Sequence, residues 1–204
     1  MKLKVDEAST AATLYRAERS SGRAIVLAHG AGAGQKHPFM VRVADGLAAR
    51  GVDVMTFDFL YMHARRRVPD RNDRLEACWR AAIARAHAEL APRWLWVGGK
   101  SMGGRIASQV VAAGEPRIAG LVLLGYPLHP PEQPDKLRTA HLPQLRVPIL
   151  CVQGERDEFG TPADLRPYFP TAAHIVSVAG GHSFAVDDDL LDRIAGFIHA
   201  HANG

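Results

Sequence analysis

The chain has 204 residues, 25 Lys and Arg against 21 Asp and Glu, a formal charge of +4, and a 47% hydrophobic share. That length and composition suit one globular domain with a substantial core, and no apolar run is long enough to cross a bilayer. Two cysteines exclude a disulfide framework, and the mild positive charge, dense only at Arg65, Arg66 and Arg67, argues against a nucleic-acid binder.

The start, MKLKVDEAST, carries lysines with no apolar stretch behind them. The expectation is therefore a protein without a signal peptide, resident in the reducing cytoplasm, with Cys78 and Cys151 as buried thiols. Along the chain, TAATLYRAE reads as an early edge strand running antiparallel to the rest. AIVLAHG, residues 24–30, reads as a buried strand ending in a glycine-rich turn. Residues 38–50 follow as a helix, with Phe39, Val43 and Leu47 at helical spacing. VDVMTFDF, residues 52–59, is the next strand, and residues 70–90 form a long helix with Leu75, Trp79, Ile83 and Ala86 on one face.

RWLWVGG is a strand and MGGRIASQVVAAG a helix closed by glycine; IAGLVLLGY and VPILCVQG are strands. Residues 161–168 hold a short helix, HIVSVAG is the last strand, and residues 187–200 close the chain as a helix with acidic residues in its first turn. Strands alternating with helices imply a mostly parallel sheet covered on both faces. Residues 127–146 hold five prolines and read as an irregular connection near the site, too short for a cap domain.

WLWVGGKSMGG, residues 94–104, contains the pattern G-x-S-x-G centred on Ser101. A phosphate-binding loop would need glycine at position 94, where Trp94 stands, so Gly99-Lys100-Ser101 does not close such a loop. HGAGAG, residues 29–34, follows a strand, but its glycines are spaced G-x-G-x-G rather than G-x-G-x-x-G. That weakens a dinucleotide site, even with Asp53 and Asp58 about 20 residues further on. The strand before Ser101 and the helix after it instead suit a nucleophile on a tight turn.

Serine needs a base, and the base an orienting acid, expected in the order Ser, acid, His. Asp157, in the turn after VPILCVQG, and His182, in the turn after HIVSVAG, both lie just past strand ends, where sites of open α/β sheets form. Glu155 and Glu158 flank Asp157 as alternative acids. His29 precedes the serine, against the expected order, and reads as a structural histidine bonded to the backbone of its loop. The other histidines show no metal-ligand spacing, so neither metal nor cofactor is expected.

The oxyanion donors are expected to be the N–H of Met102 and one from the loop HGAGAGQKH, with Ala31 the first choice and Gly32 the second. Leu60, Tyr61 and Met62 after one strand end, and Tyr126 and Leu128 after another, are candidates for lining the substrate pocket. Two readings of Tyr126 stand: pocket wall, or packing under the turn. Arg65 and its two neighbours either attract an anionic group on the substrate or form a solvated run, one of them paired with Asp70.

The elbow, HGAGAG, GERDEFG and GGHSF occur in the order seen in α/β-hydrolases, and the chain resembles that superfamily from about Ala24 onward. FDFLYMHARRRVPD and GGKSMGGR look like a small subgroup of bacterial predicted hydrolases, related to domains of the nonspecific-lethal complex subunit and testis-expressed protein type. Dienelactone hydrolases are similar in size and in lacking a large cap, but usually carry cysteine where this chain has Ser101. The resemblance implies a three-layer α/β-hydrolase sandwich, mostly parallel and without a large cap, as a single domain over 1–204. It implies a triad of Ser101, Asp157 and His182. Acyl transfer to water makes an ester or thioester the expected substrate, and the lack of a cap points to a small one. A noncatalytic binding or scaffolding domain on the same fold is the alternative. No nucleic-acid or membrane partner is expected, and the choice between monomer and homodimer is open.

Overall fold

The computed structural model describes residues 1–201. Eight strands form one sheet: β1 (Lys2–Val5), β2 (Ala8–Tyr15), β3 (Arg23–Ala28), β4 (Val52–Phe57), β5 (Trp94–Lys100), β6 (Ile118–Leu124), β7 (Ile149–Gly154) and β8 (His174–Val178). Their spatial order is β1-β2-β4-β3-β5-β6-β7-β8. β4, β3, β5, β6, β7 and β8 pair in parallel, and β2 runs antiparallel to both β1 and β4. The longer helices are α1 (Pro38–Ala48), α3 (Asn72–Leu90), α4 (Met102–Ala112) and α6 (Asp188–Ala200), with one-turn helices α2 (Leu60–His63) and α5 (Pro162–Leu165).

The expected antiparallel strand is β2, but it is not the edge. β1 lies outside it, four residues with Leu3 and Val5 turned inward. KLKV is too short and too charged to stand out as a strand before its pairing is known.

The central strands are buried on both sides, which is why β3 and β6 read as near-continuous apolar runs, while β4 and β7 also bury Asp53, Thr56 and Gln153. One face packs against α3 and α4, through Val26, Val97, Trp79, Ile83, Ile106 and Val110. The other packs against α1 and α6, through Ile25, Val54, Val43, Leu47, Leu191 and Ile194. Each fully buried aliphatic side chain contributes about 1.5–3 kcal/mol of transfer free energy. This is the three-layer sandwich the sequence implies, with no large cap inserted. Among the described residues no helix is long and apolar enough to cross a membrane.

The turns are fixed by their own chemistry. The His37 imidazole accepts the N–H of Phe39 with Pro38 at the first helical position, and Asp187 caps α6 by accepting the N–H of Leu190. Residues 127–146 carry one 3-10 turn, Leu142–Gln144, and otherwise run as loop. The parallel strands all point their carboxyl ends toward one rim, where the β3, β5, β7 and β8 loops gather.

Candidate active site

The turn between β5 and α4 is built by close approach. Ser101 sits at φ 50°, ψ −117°, a conformation few side-chain-bearing residues adopt. Gly99 has φ +146°, and a Cβ there would lie 2.1 Å from the Ala28 carbonyl oxygen. A Cβ on Gly103 would lie 2.4 Å from the same oxygen. The small residues around Ser101 are thus what lets α4 start directly beneath β3. The Ser101 N–H donates to the Leu124 carbonyl at 3.0 Å, tying the turn to the end of β6.

Ser101 Oγ lies 2.8 Å from His182 Nε2, and His182 Nδ1 lies 2.9 Å and 3.1 Å from the two oxygens of Asp157. A carboxylate only accepts, so Nδ1 carries the proton and Nε2 is left to accept from the Ser101 hydroxyl. Asp157 is 3% exposed and accepts two further bonds, from the Gln153 amide at 2.9 Å and the Phe159 N–H at 2.9 Å. Glu155 and Glu158 do not reach the ring. Glu158 accepts the backbone N–H of His182, and Glu155 the hydroxyl of Ser177. A second serine–histidine pair, Ser108 and His141 at 2.7 Å, has no acid bonded to it among the described residues. Ser108 is fully buried and spends its proton on the Arg105 carbonyl.

The His141 ring is held down to a pKa of about 4 by burial and by the nearby Arg105 cation. An unfolded histidine binds a proton near pH 6.5, so the folded state falls behind as pH drops from 6.5 toward 4. His29 and His87 are shifted the same way by burial. In thermal melts, His141→Gln should therefore lose less melting temperature than wild type between pH 6.5 and 4. Equal losses would remove His141 from the acid sensitivity.

The loop after β3 is pinned from below. The Phe59 N–H donates to His29 Nε2 at 3.1 Å, so Nδ1 is the protonated nitrogen and donates to the Gly30 carbonyl at 2.7 Å. This is the structural role expected of His29. The Tyr61 hydroxyl donates to the Ala31 carbonyl at 2.9 Å, and Asp58 accepts both the backbone and side-chain N–H of Gln35. Asp53 accepts from Ala17 and Ser20 at the opposite end of β4. Neither aspartate is therefore presented as a ribose ligand. The Ala31 N–H donates to no group among the described residues. Met102 opens α4, so its N–H has no acceptor within the helix.

Two clefts meet at Ser101. One, of about 540 Å³, is walled by Phe39, Met40, Phe159, Phe184, Lys100 and the loop 30–33, so Gly32 lies on it. The other, of about 550 Å³, runs over Met102, Arg105, Pro127, Pro131, Arg138 and Phe159, with Ala31 shared between both.

The expected pocket residues lie elsewhere. Leu60 and Tyr61 turn into the core under β4, and Met62 packs half-buried against it. Tyr126 is buried, its hydroxyl donating to the Arg138 carbonyl at 2.6 Å, which is the packing reading. Leu128 is buried against Gly160. Arg65 stands exposed at φ 57° on the turn ending α2, while Arg66 pairs with Asp70. None of these side chains except Asp70 faces either cleft. The physical reason is that the chain leaving β4 coils at once into α2, whose apolar side is claimed by the core.

Three participants were not read from the sequence. Gln153, buried in β7, bonds the backbone of Tyr126 and Gly160 as well as Asp157, locking the acid loop to the β6 loop. Lys100 donates to the His182 carbonyl and lies 5.6 Å and 5.2 Å from the rings of Phe39 and Phe184. Burial lowers its ammonium to a pKa of about 8. Phe159 sits with its ring 4.3 Å from that of His182. Only Lys100 carried a visible signal, its place beside the nucleophile.

The fold and this hydrogen-bonded chain together define an α/β-hydrolase of the serine-hydrolase type. The chain belongs to the alpha/beta hydrolase domain family, whose model matches residues 21–191. Solved structures share the fold at low identity. A cold-adapted esterase from an Arctic intertidal metagenomic library is 20% identical over 98% of this chain and 92% of its own, with TM-score 0.77. The Est1E protein of Butyrivibrio proteoclasticus, with ferulic acid bound, is 15% identical over all of both chains, also at 0.77. A dienelactone hydrolase from Anabaena variabilis is 20% identical over 98% of this chain and 94% of its own, at 0.76.

Proposed function

We propose that the protein hydrolyses a small ester or thioester through an acyl-enzyme intermediate. Ser101 gives its proton to His182 Nε2 and its oxygen to the substrate carbonyl carbon, while Asp157 stabilises the imidazolium that forms. The N–H groups of Met102 and Ala31 take the oxyanion, with Gly32 the second choice for the loop donor. The imidazolium protonates the leaving alcohol or thiol. Water then attacks the acyl carbon, His182 again accepting the proton, and the acid leaves with Ser101 restored.

The single observation that carries this reading is the unbroken chain from Asp157 through His182 to Ser101, at 2.9 and 2.8 Å, on a turn strained at the serine. The apolar wall of Phe39, Met40, Phe159 and Phe184 suits a short acyl or alcohol group. Esterases among the solved neighbours support an ester over other carbonyl substrates. We take residues 1–204 as one catalytic domain, with the 127–146 connection forming part of the mouth. The unpaired, buried Cys78 and Cys151 support a cytoplasmic setting, and the modest charge supports a small molecule rather than a nucleic acid as partner. The likeness to the nonspecific-lethal and testis-expressed group rests on the stretches FDFLYMHARRRVPD and GGKSMGGR alone.

A fluorophosphonate probe should label the wild-type protein at Ser101, and 4-nitrophenyl esters from acetate to octanoate should be cleaved with preference for the short chains. His182→Ala should lose both. A folded wild-type protein that takes up no probe and cleaves none of these esters is a scaffold, not a hydrolase.

A further inference from the structure

We propose that the cleft over α4 is a carboxylate subsite: Arg105 and Arg138 receive an acid group carried by the substrate whose ester carbonyl lies at Ser101. The assignment of the ester to this place rests on Ser101 being the nucleophile. The subsite itself rests on what the two arginines lack.

Arg105 stands one turn into α4, its N–H bonded to the Ser101 carbonyl at 3.0 Å. Its guanidinium is largely buried, yet among the described residues no carboxylate pairs with it. Nη1 has only the Gln109 amide oxygen at 3.3 Å, and Nε is buried with no acceptor at all. A buried guanidinium is costly until a counter-charge pairs with it. Arg138 compounds the cost. It comes from the proline-rich connection, held at both backbone atoms, its carbonyl by the Tyr126 hydroxyl at 2.6 Å and its N–H by the Leu128 carbonyl at 2.8 Å. Its side chain has no acceptor among the described residues, and it faces Arg105 across the same cleft. The two cations lie close enough that Arg138 depresses the pKa of Arg105, on top of burial.

The surroundings do not neutralise the pair. His141 is held neutral beside Arg105, Tyr126 is buried as a phenol, and its pKa is raised by burial. Asp70, the one acid on the cleft wall, is already engaged by Arg66 and by the N–H of Tyr61 at 2.9 Å. The positive end of α4 adds to the field. Two arginine forks flanking an apolar floor of Pro127, Pro131 and Leu75 fit a planar carboxylate at the end of a short chain. Asp70 nearby disfavours a dianion such as a phosphate monoester. Of the two readings of Arg65 and its neighbours, the subsite favours the solvated run, since the anion is taken by Arg105 and Arg138.

The test uses the full chain with Ser101→Ala, so that ligands are bound and not consumed. Calorimetry should find monomethyl glutarate bound at least tenfold tighter than dimethyl glutarate. That margin should collapse when Arg138→Gln or Arg105→Lys is added, the lysine keeping the charge but losing the fork. Arg138, half-exposed, keeps the test open if the Arg105 variant does not fold. Equal affinity for the two glutarates, or a margin untouched by either arginine, overturns the subsite. Inorganic phosphate displacing monomethyl glutarate more strongly than acetate does overturns the choice of carboxylate. With Ser101 restored, the kcat/KM ratio of 4-nitrophenyl hemiglutarate to 4-nitrophenyl butyrate should fall about tenfold in Arg138→Gln. Cleavage of both esters with no such ratio leaves the nucleophile standing and the subsite fallen. Tight, arginine-dependent binding with no cleavage of any ester does the reverse.

Discussion

Alanine at position 101 is expected to lower kcat for 4-nitrophenyl acetate by roughly four to six orders of magnitude while the protein stays folded. The hydroxyl is the only atom in the arrangement placed to bond the substrate carbon, 2.8 Å from the nitrogen that takes its proton. What survives its removal is binding and the oxyanion donors, worth some thousandfold over water. Because Ser101, His182 and Asp157 act as one device, Ser101→Ala with His182→Ala should cost scarcely more than either alone. Additive losses in kcat would show that His182 serves something other than Ser101. The same position separates strain from chemistry. At φ 50° the serine costs about 1–3 kcal/mol that glycine would not incur. Ser101→Gly and Ser101→Ala lose the same hydroxyl, so the glycine variant should be inactive yet about 1 kcal/mol more stable than the alanine variant, after allowing for the entropy of glycine. A denaturant titration measures the difference, and a more stable alanine variant would mean that the turn is relaxed.

The tight turn at Ser101 is legible in the sequence because glycines flank a serine between a strand and a helix, while its positive φ is not. The acid and the base were legible for a similar reason: each lies just past the end of an apolar strand, and parallel strands deliver such positions to one rim, although the turn after β7 offers Glu155 and Glu158 beside Asp157 and only the geometry chooses among them. The walls of the cleft were not. Phe39 shares its helical spacing with Val43 and Leu47, but the first turn of α1 projects over the rim, and Phe39 packs edge-on against Phe184 from the other end of the chain. Periodicity tells which side of a helix is apolar and not which turn of it overhangs a neighbour. Leu60, Tyr61 and Met62 failed for the complementary reason. They follow a strand end, as the triad residues do, but a one-turn helix rolls them inward, and no local pattern four residues long announces that. Arg105 and Arg138, 33 positions apart, become a pair only through the return of the 127–146 connection across α4.

Alanine at Gly99 should cost more stability than any other one-methyl change in the turn, about 4 kcal/mol or more, enough to use up most of an ordinary domain's margin. Two penalties coincide there. The backbone is at φ +146°, which a Cβ makes strained, and that Cβ would sit 2.1 Å from the Ala28 carbonyl oxygen and 2.8 Å from its nitrogen. Both contacts are backbone atoms of β3, so nothing flexible can yield. β3 would have to part from β5 in the middle of the sheet. Two other glycines take the penalties apart. Gly114 has φ +88° with nothing within 4 Å of the place a Cβ would take, so Gly114→Ala should cost only the backbone part, about 1–2 kcal/mol. Gly103 lies inside α4 and outside the positive-φ region, but its Cβ would stand 2.4 Å from the same Ala28 oxygen, so Gly103→Ala should cost the clash without the strain. Thermal and urea unfolding of the three variants should therefore rank Gly99→Ala as the most damaging, Gly103→Ala next and Gly114→Ala last. If Gly99→Ala melted with wild type, the turn would have to open far enough to admit a methyl group, and a turn that loose could not hold the Ser101 hydroxyl against His182.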